Sequence, residues 1–176
     1  YSYGQFDNEP HLSADQVILF EDHLENGPGQ WTAERPWDLT SASSNSPIHA
    51  WTDSPGGKYL NGENVSLTTL PVDLGSVTQS TLQFQTCYDL QTGHDHGYVE
   101  ISTDQGVTWT RVATYTGRTV HWARETVDLG VMNGAGELRV RFRLNTDGDI
   151  TGDGWYVDDV AVFTTQEVQP VAAFYS

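Results

Sequence analysis

Two adjacent aspartates, Asp158 and Asp159, interrupt an otherwise apolar segment near the end of the sequence, GDGWYVDDVAVF (152–163). Side chains in this segment alternate with the two-residue period of a β-strand. A strand of this apolar character normally excludes Asp, because a buried carboxylate needs a cation or several hydrogen-bond donors close by. The chain has only 8 Lys and Arg against 24 Asp and Glu, so a metal ion is the favoured source of the compensating charge.

A second acidic group, formed by Asp147, Asp149 and Asp153, lies in the Gly-rich stretch before and at the start of this strand. The Asp147-x-Asp149 spacing resembles the start of an EF-hand loop, and Gly152 occupies the sixth position. The twelfth position is Asp158, where a bidentate Glu is expected, and no flanking helices are predicted. Two interpretations therefore remain open, a second cation site and, in preference, a solvated hairpin loop.

Catalytic and zinc chemistry have little support in the sequence. His94 and His96 flank Asp95, but on a strand the two histidines share one face, and no third His or Cys lies at the usual zinc spacing. The chain contains neither HExxH nor GxSxG, the motifs of metallopeptidases and of serine hydrolases. Metal or ligand contact by the two histidines is the minor alternative to a structural loop.

The segment STDQGVTW (102–109) matches the Asp-box pattern S-x-D-x-G-x-T-W. It predicts a β-hairpin in which Asp104 accepts backbone N–H groups, Gly106 adopts a positive φ and Trp109 packs under the turn. This role is structural. Sialidase propellers, where the pattern is familiar, need several copies and a much longer chain.

Aromatic side chains provide a candidate ligand-binding surface. Trp37 lies in a polar loop, and Trp122 lies near Tyr115 in sequence. Exposed rings of this kind stack on the apolar faces of sugars while polar neighbours bind the hydroxyls; the alternative is that they cover the edge of the core. Four other tryptophans occur in strand patterns and are expected to be buried, namely Trp31, Trp51, Trp109 and Trp155.

The elements that must position these residues are β-strands. Runs rich in β-branched and aromatic residues are each bounded by Gly, Asp, Asn or Ser. No stretch of the sequence shows sustained helical spacing of apolar residues. In ELRVRFRLN (137–145), Val140, Phe142 and Leu144 share one face and the arginines share the other, which predicts a half-buried antiparallel strand. We predict an all-β fold, a two-sheet antiparallel jelly-roll sandwich, with strands near residues 17–21, 48–51, 65–69, 82–90, 97–102, 107–115, 121–129, 137–145 and 152–163.

One domain accounts for most of the 176 residues. Residues 1–16 are interpreted as an N-terminal arm or linker and residues 17–164 as the jelly-roll domain. Residues 165–176 are interpreted as a C-terminal linker, whose final PVAAFYS resembles the first strand of a following immunoglobulin-like module. The numbered chain shows no membrane span and no signal peptide, and a signal could have been removed before Tyr1.

The formal net charge of −16 argues against nucleic acid and anionic membranes as partners, because both attract basic surfaces. Cys87 is the only cysteine, so the chain forms no intrachain disulfide. The composition is typical of a soluble extracellular protein or of one that binds Ca²⁺.

Three blocks of sequence together carry a family resemblance: WTDSPGGKYLNGENVSLTTLPVDLG (51–75), GYVEISTDQGVTW (97–109) and RVRFRLNTDGDITGDGWYVDDVAV (139–162). They resemble the jelly-roll accessory domain of secreted bacterial peptidases of the immune inhibitor A type. That domain is similar to MAM domains and to calcium-containing carbohydrate-binding modules. The resemblance is more specific for the fold than for a ligand, because such domains accompany peptidases and glycoside hydrolases alike.

The resemblance implies a structural Ca²⁺ where the first and last strands meet. Hard oxygen ligands from carboxylates and backbone carbonyls suit this ion. The ligand region implied comprises a residue after the first strand, a Gly-containing loop and the acidic pair of the last strand, which correspond here to Glu21, Asp53, Gly56, Lys58, Asp158 and Asp159. The alternative is that Asp158 accepts backbone N–H bonds in a β-bulge while Asp159 faces water.

These observations predict a non-catalytic, calcium-binding accessory module of a secreted bacterial peptidase, which stabilises the enzyme or positions its substrate. A carbohydrate-binding module of an extracellular hydrolase and a cell-surface adhesion domain are the alternatives. The expected partners are adjacent domains of a larger secreted or cell-surface protein and a polysaccharide or protein substrate. Nucleic acid and membrane are not expected to be partners.

Overall fold

The protein is described here by a computed structural model that covers residues 16–77, 79–119, 121–132 and 134–165. Apart from one terminal residue each, the predicted N-terminal arm and C-terminal linker lie outside these ranges. The described residues contain strands and no helix, and therefore no helix that could cross a membrane. The strands are β1 (Gln16–Asp22), β2 (Trp31–Ala33), β3 (Asp38–Thr40), β4 (Ala50–Thr52), β5 (Asn64–Thr69), β6 (Val72–Asp73), β7 (Gln79–Asp89), β8 (His96–Ser102), β9 (Thr110–Tyr115), β10 (Ala123–Val131), β11 (Glu137–Asn145) and β12 (Gly154–Thr165).

The strands form two antiparallel sheets packed as a sandwich, which confirms the predicted fold class. The first sheet has the order β10-β7-β12-β4-β3, and β1 also pairs with β12. The second sheet has the order β2-β5-β11-β8-β9, and β6 pairs with β11. Four of the predicted strands, near 65–69, 82–90, 97–102 and 137–145, correspond closely to β5, β7, β8 and β11.

The last strand, β12, is central to the first sheet. It pairs with β7 along one side, and with β4 and then β1 along the other. The β1 register runs from Gln16 opposite Thr165 to Asp22 opposite Val160. The first and last strands of the domain are therefore hydrogen-bonded to each other, as the family resemblance implies.

Aromatic rings fill the space between the sheets. Trp155 is fully buried, and its ring lies 5.6 Å from Phe142 and 5.9 Å from Trp37 between centroids. Edge-to-face and tilted pairs of this kind stabilise a core beyond the area they bury. The same aromatic cluster includes Phe20, Trp31, Trp51, Phe84 and Tyr115.

The outer face of the second sheet shows how the fold accommodates a buried carboxylate when arginines are available. The Glu100 side chain is 6% exposed and lies 2.5 Å from Arg141 Nη2 and 2.6 Å from Arg143 Nη2. Burial alone would raise the pKa of Glu100, but the hydrogen bonds from Arg143 and Arg141 outweigh it and lower the pKa. The arginine face predicted for residues 137–145 is therefore an ion-paired layer.

Gly97 of β8 lies directly against the Trp155 ring of the opposite sheet. A Cβ atom at this position would lie 2.7 Å from Cε3 of Trp155, which is inside van der Waals contact. Because the Trp155 ring is fully buried among other aromatic rings, it has no free space into which to move.

We predict that Gly97→Ala lowers the free energy of unfolding by about 1–3 kcal/mol through overpacking. Urea denaturation measured by tryptophan fluorescence would test this. Gly29→Ala is the matched control, because a Cβ there meets nothing within 4 Å. Equal stabilities of the two variants would contradict the close packing of β8 against Trp155.

Candidate metal centre

A β-bulge in β12 presents the two adjacent aspartates to the same neighbouring loop. The pairing of β12 with β7 shifts register between Asp158 and Ala161, and Asp159 has a φ of 48°. In a regular strand, consecutive side chains point to opposite faces. Here the Asn45 backbone N–H donates to Asp158 Oδ2 at 2.8 Å, and the Asn45 side-chain amide donates to Asp159 Oδ2 at 2.7 Å.

The Asp158 carboxylate is fully buried and is surrounded by hydrogen-bond donors that carry no charge. The backbone N–H groups of Asn45 and Ser46 donate to Oδ2, and that of Asp159 donates to Oδ1 at 2.7 Å. Burial and the neighbouring Asp159 charge raise the pKa of Asp158 to about 6, against the lowering effect of the Ser46 and Asn45 donors.

Asp159 does not face water, since its side chain is 8% exposed. Its Oδ1 lies 2.8 Å from Nδ1 of His23, and Nε2 of the same ring lies 3.3 Å from Oε1 of Glu21. His23 therefore links Glu21, on β1, to Asp159 on β12. The earlier alternative for this pair was half right, because Asp158 does accept backbone N–H bonds in a bulge while Asp159 is enclosed.

Four oxygen acceptors converge on the hydroxyl of Ser46, in the loop between β3 and β4. Ser46 Oγ lies 3.1 Å from the His23 carbonyl oxygen and 3.3 Å from Glu25 Oε1. The two carboxylate oxygens of Asp158 lie 3.1 and 3.3 Å from the same hydroxyl. A hydroxyl has one proton to donate, so it cannot satisfy all of these acceptors.

Glu25 adds a second negative charge to this cluster. Its Oε1 also accepts the backbone N–H groups of Ile48 at 3.1 Å and His49 at 3.0 Å. Burial would raise the pKa of Glu25, but the His49 and Ile48 donors outweigh it and lower the pKa. An ionised Glu25 therefore lies beside the buried Asp158 carboxylate.

The donor set of this cluster fits a hard divalent cation. His23, Glu25, Ser46 and Asp158 supply a carbonyl, a hydroxyl and two carboxylates, the mixture of oxygen ligands that Ca²⁺ takes. Within the described ranges, no Lys or Arg makes an ion pair with Glu25 or Asp158, in contrast to Glu100. Those residues also contain no group of three or more His, Cys, Asp or Glu side chains arranged to hold a metal, so the fit depends on the mixed oxygen set.

The structure brings together only part of the predicted ligand region. Asp158, Asp159 and, through His23, Glu21 belong to one network. Asp53 does not join this network. In the register of β4 with β12, Thr52 pairs with Tyr156, and this pairing sets the position of the next residue, Asp53, along β12. Asp53 therefore lies beside Trp155, roughly 10 Å along β12 from Asp158 at about 3.3 Å per residue. The turn that carries Gly56 and Lys58 is exposed.

Asp53 has a structural environment of its own. It is fully buried, its Oδ1 accepts the Trp155 N–H at 2.6 Å, and its Oδ2 has no hydrogen-bond partner within the part of the chain that the structure describes. Burial raises the pKa of Asp53 to about 7, although the Trp155 donor lowers it. This carboxyl orders the start of β12.

The second acidic group does not converge on one point. Asp147 accepts the Asp149 N–H within its own turn at 2.8 Å and lies 3.2 Å from His94. Asp153 instead accepts the Tyr156 hydroxyl at 3.1 Å. This arrangement agrees with the solvated-loop alternative for Asp147, Asp149 and Asp153.

The histidine segment also has structural roles. Asp95, between His94 and His96, is fully buried and accepts the Tyr59 hydroxyl at 2.6 Å and the Asp147 N–H at 2.8 Å. The ring of His96 stacks on Tyr98 at a centroid distance of 5.6 Å.

In the hairpin turn after β8, Asp104 accepts the Thr108 N–H at 2.9 Å and Gly106 has a φ of 86°, as predicted from the Asp-box pattern.

The candidate ligand-binding aromatics require a correction. Trp37 and Tyr115 are 3% and 8% exposed and pack against Trp155, so neither offers a ring face to a ligand. Trp122 keeps partial exposure. Trp109, expected in the core, is instead partly exposed on the outer face, where the Arg141 guanidinium lies 3.9 Å from its ring centroid.

Sequence reasoning missed the residues that complete the cluster, namely His23, Glu25, Asn45 and Ser46. Asn45 and Ser46 occur in a polar stretch, and their contacts to Asp158 span 113 and 112 residues. The only local signal is the Glu25 carboxylate, which occurs four residues after Glu21 and just beyond the end of the first strand.

We predict that Asp53→Asn removes a pH-dependent loss of stability. The folded-state pKa of about 7 lies above the unfolded value of about 3.9, so the native protein loses stability as pH rises from about 4 to 7. Each unit between these pKa values corresponds to about 1.4 kcal/mol. Thermal unfolding between pH 4 and 8 should show that the stability of Asp53→Asn relative to the natural protein increases across this range. The relative stability of Asp149→Asn should not increase. A stability difference that is independent of pH would contradict the assignment.

Comparison with known proteins matches the chain to a curated relative. The chain is 28% identical over 151 residues to Bacillopeptidase F of Bacillus subtilis (strain 168), a match that covers 81% of this chain and 10% of that protein. The chain therefore spans about a tenth of the length of the relative it matches. No family model matches the sequence.

Solved structures with the same fold include adhesin and carbohydrate-binding domains. The K1 cleaved adhesin domain of Lys-gingipain from Porphyromonas gingivalis W83 has a TM-score of 0.60 at 20% identity, covering 84% of this chain and 98% of that one. The K2 cleaved adhesin domain of Lys-gingipain has a TM-score of 0.58 at 17% identity, covering 83% and 99%. TmCBM61 in complex with β-1,4-galactotriose has a TM-score of 0.58 at 14% identity, covering 85% and 99%. The chain is thus related in sequence to a segment of a Bacillus peptidase, and it shares its fold with adhesin and carbohydrate-binding β-sandwiches.

Proposed function

We propose that this chain is a non-catalytic, calcium-binding β-sandwich module of a larger secreted bacterial peptidase, which it stabilises or whose substrate it positions. The sequence relation to a segment of Bacillopeptidase F supports the peptidase context. The sequence contains neither HExxH nor GxSxG, which supports an accessory role.

The observation that carries the proposal is the cluster of oxygens around Ser46 Oγ. Its members come from the β1–β2 connection, the β3–β4 connection and β12. Two carboxylates there each lie within 3.3 Å of one hydroxyl, and no Lys or Arg is paired to either among the described residues. The Nδ1 atom of His49 lies 3.7 Å from Glu25 Oε2, but this ring carries a charge only when protonated. A divalent cation held by Glu25, Asp158, Ser46 and the His23 carbonyl would supply the missing positive charge and tie these three segments together.

Calcium held in this way stabilises the fold by mass action, because the unfolded chain does not assemble the ligands. The gain is about 2.7 kcal/mol when free Ca²⁺ is 100 times its dissociation constant. For a domain of this size, that energy raises the melting temperature by roughly 5–10 °C.

We predict that the melting temperature in millimolar CaCl₂ exceeds that in EDTA by roughly this amount, and that Glu25→Gln abolishes most of the difference. The glutamine keeps an oxygen to accept the Ile48 and His49 N–H groups, so the apo protein should remain folded. Differential scanning calorimetry of both proteins with and without calcium measures the effect.

Asp53→Asn serves as the matched control, because Asp53 lies outside the oxygen cluster and should retain the calcium response. Loss of the calcium response in Asp53→Asn, with a normal response in Glu25→Gln, would refute the proposed ligand set. An identical melting temperature in calcium and EDTA would refute calcium binding itself.

A further inference from the structure

The outer face of the first sheet carries an open cavity of about 300 Å³, and none of the residues of the oxygen cluster around Ser46 Oγ lines it. Its floor is formed by Cys87 of β7 and Tyr156 of β12, which are paired directly opposite each other and so share a face. One wall comes from the connection between β9 and β10, including Arg118 and Trp122. Asp89 and Asp153 contribute carboxylates to the lining, which also includes Ser43, Tyr88, Thr119 and His121.

The lining combines one partly exposed indole with polar groups. The Trp122 ring lies edge-to-face against Tyr156, with centroids 6.3 Å apart and planes at 72°. The Tyr156 hydroxyl donates to Asp153 Oδ2 at 3.1 Å, which orients that carboxylate. Arg118 is 71% exposed in its side chain and lies 4.0 Å from Asp89. Donors and acceptors are therefore both available beside an aromatic surface.

The chemistry of the lining selects the class of ligand. Asp89, Asp153 and Arg118 give a formal charge of −1, which disfavours phosphates and uronates, especially in a chain of net charge −16. The surface is too polar for a lipid chain. A neutral sugar presents hydroxyls that donate to the carboxylates and accept from the guanidinium, and an apolar C–H face that stacks on indole.

The protonation states of Cys87 and Tyr156, which form the floor of the cavity, are consistent with binding without a chemical reaction. Burial, with the Asp153 charge, raises the pKa of the Cys87 thiol to about 11, so it is not a nucleophile at neutral pH. Burial and Asp153 also raise the pKa of Tyr156 to about 12, so its hydroxyl keeps donating to Asp153. The size of the cavity, at the lower end for ligand sites, suits one sugar ring.

From these features we infer that the cavity lined by Cys87, Asp89, Arg118, Trp122, Asp153 and Tyr156 binds one residue of a neutral polysaccharide. This site would give the module a ligand of its own. The inference does not depend on calcium, because none of these residues belongs to the cluster around Ser46.

The test is isothermal titration of the whole chain, in millimolar calcium, with neutral trisaccharides of glucose, galactose, mannose and N-acetylglucosamine and with trigalacturonate. We expect saturable binding of at least one neutral trisaccharide and none of trigalacturonate. Trp122→Ala should weaken binding about tenfold, since an aromatic contact is worth on the order of a tenfold change. Trp109→Ala is the matched control, a partly exposed tryptophan on the opposite sheet, and should bind normally.

Binding of no neutral trisaccharide, preference for trigalacturonate, or equal effects of the two tryptophan variants would overturn the inference. If Trp122→Ala does not fold, Arg118→Ala decides, because this exposed side chain can be removed without disturbing the core. It should weaken binding several-fold, and an unchanged affinity would count against the site. The calcium response of the melting temperature is measured separately, so the failure of one site is distinguishable from the failure of the other.

Discussion

Burial of the Asp158 carboxylate in the central strand β12 is the constraint on which the rest of the structure depends. The strand needs apolar neighbours to serve as the middle of a sheet, yet at this point it carries two adjacent carboxylates. A bulge resolves the conflict by rotating both toward the 45–46 loop instead of into the core. Neutral N–H donors then satisfy the hydrogen bonds of Asp158, but they supply no full positive charge, and its pKa stays raised.

The consequence is a junction of three segments far apart in sequence. Asp158 contacts Ser46 across 112 residues, and Asp159 contacts His23 across 136. Closing such loops is costly in entropy before the contacts form. A cation shared among these segments would offset that cost, and it would make the stability of the domain depend on the concentration of that cation. The second sheet solves the same problem within the protein, through Arg141 and Arg143 on Glu100.

Alternation of apolar and polar residues was sufficient to predict the sandwich and strands such as β11, because one face of each strand is buried. The anomaly at Asp158 and Asp159 was also visible in the sequence. The partners were not, because Asn45 and Ser46 occur in a loop whose position is set by packing. Asp53 was placed with the ligands by family resemblance, and the register of β4 with β12 carries it to Trp155. Trp37 was predicted in a polar loop, but its ring packs on Trp155 and its Nε1 donates to the Val65 carbonyl.

The most direct test of this account is an anomalous difference map from crystals of the chain grown in calcium. We predict a peak bounded by the Glu25 and Asp158 carboxylates, the Ser46 hydroxyl and the His23 carbonyl, at the about 2.3–2.6 Å typical of Ca²⁺–oxygen bonds. A map with no peak among these four residues, or with calcium held only by Asp147 and Asp149, would contradict it.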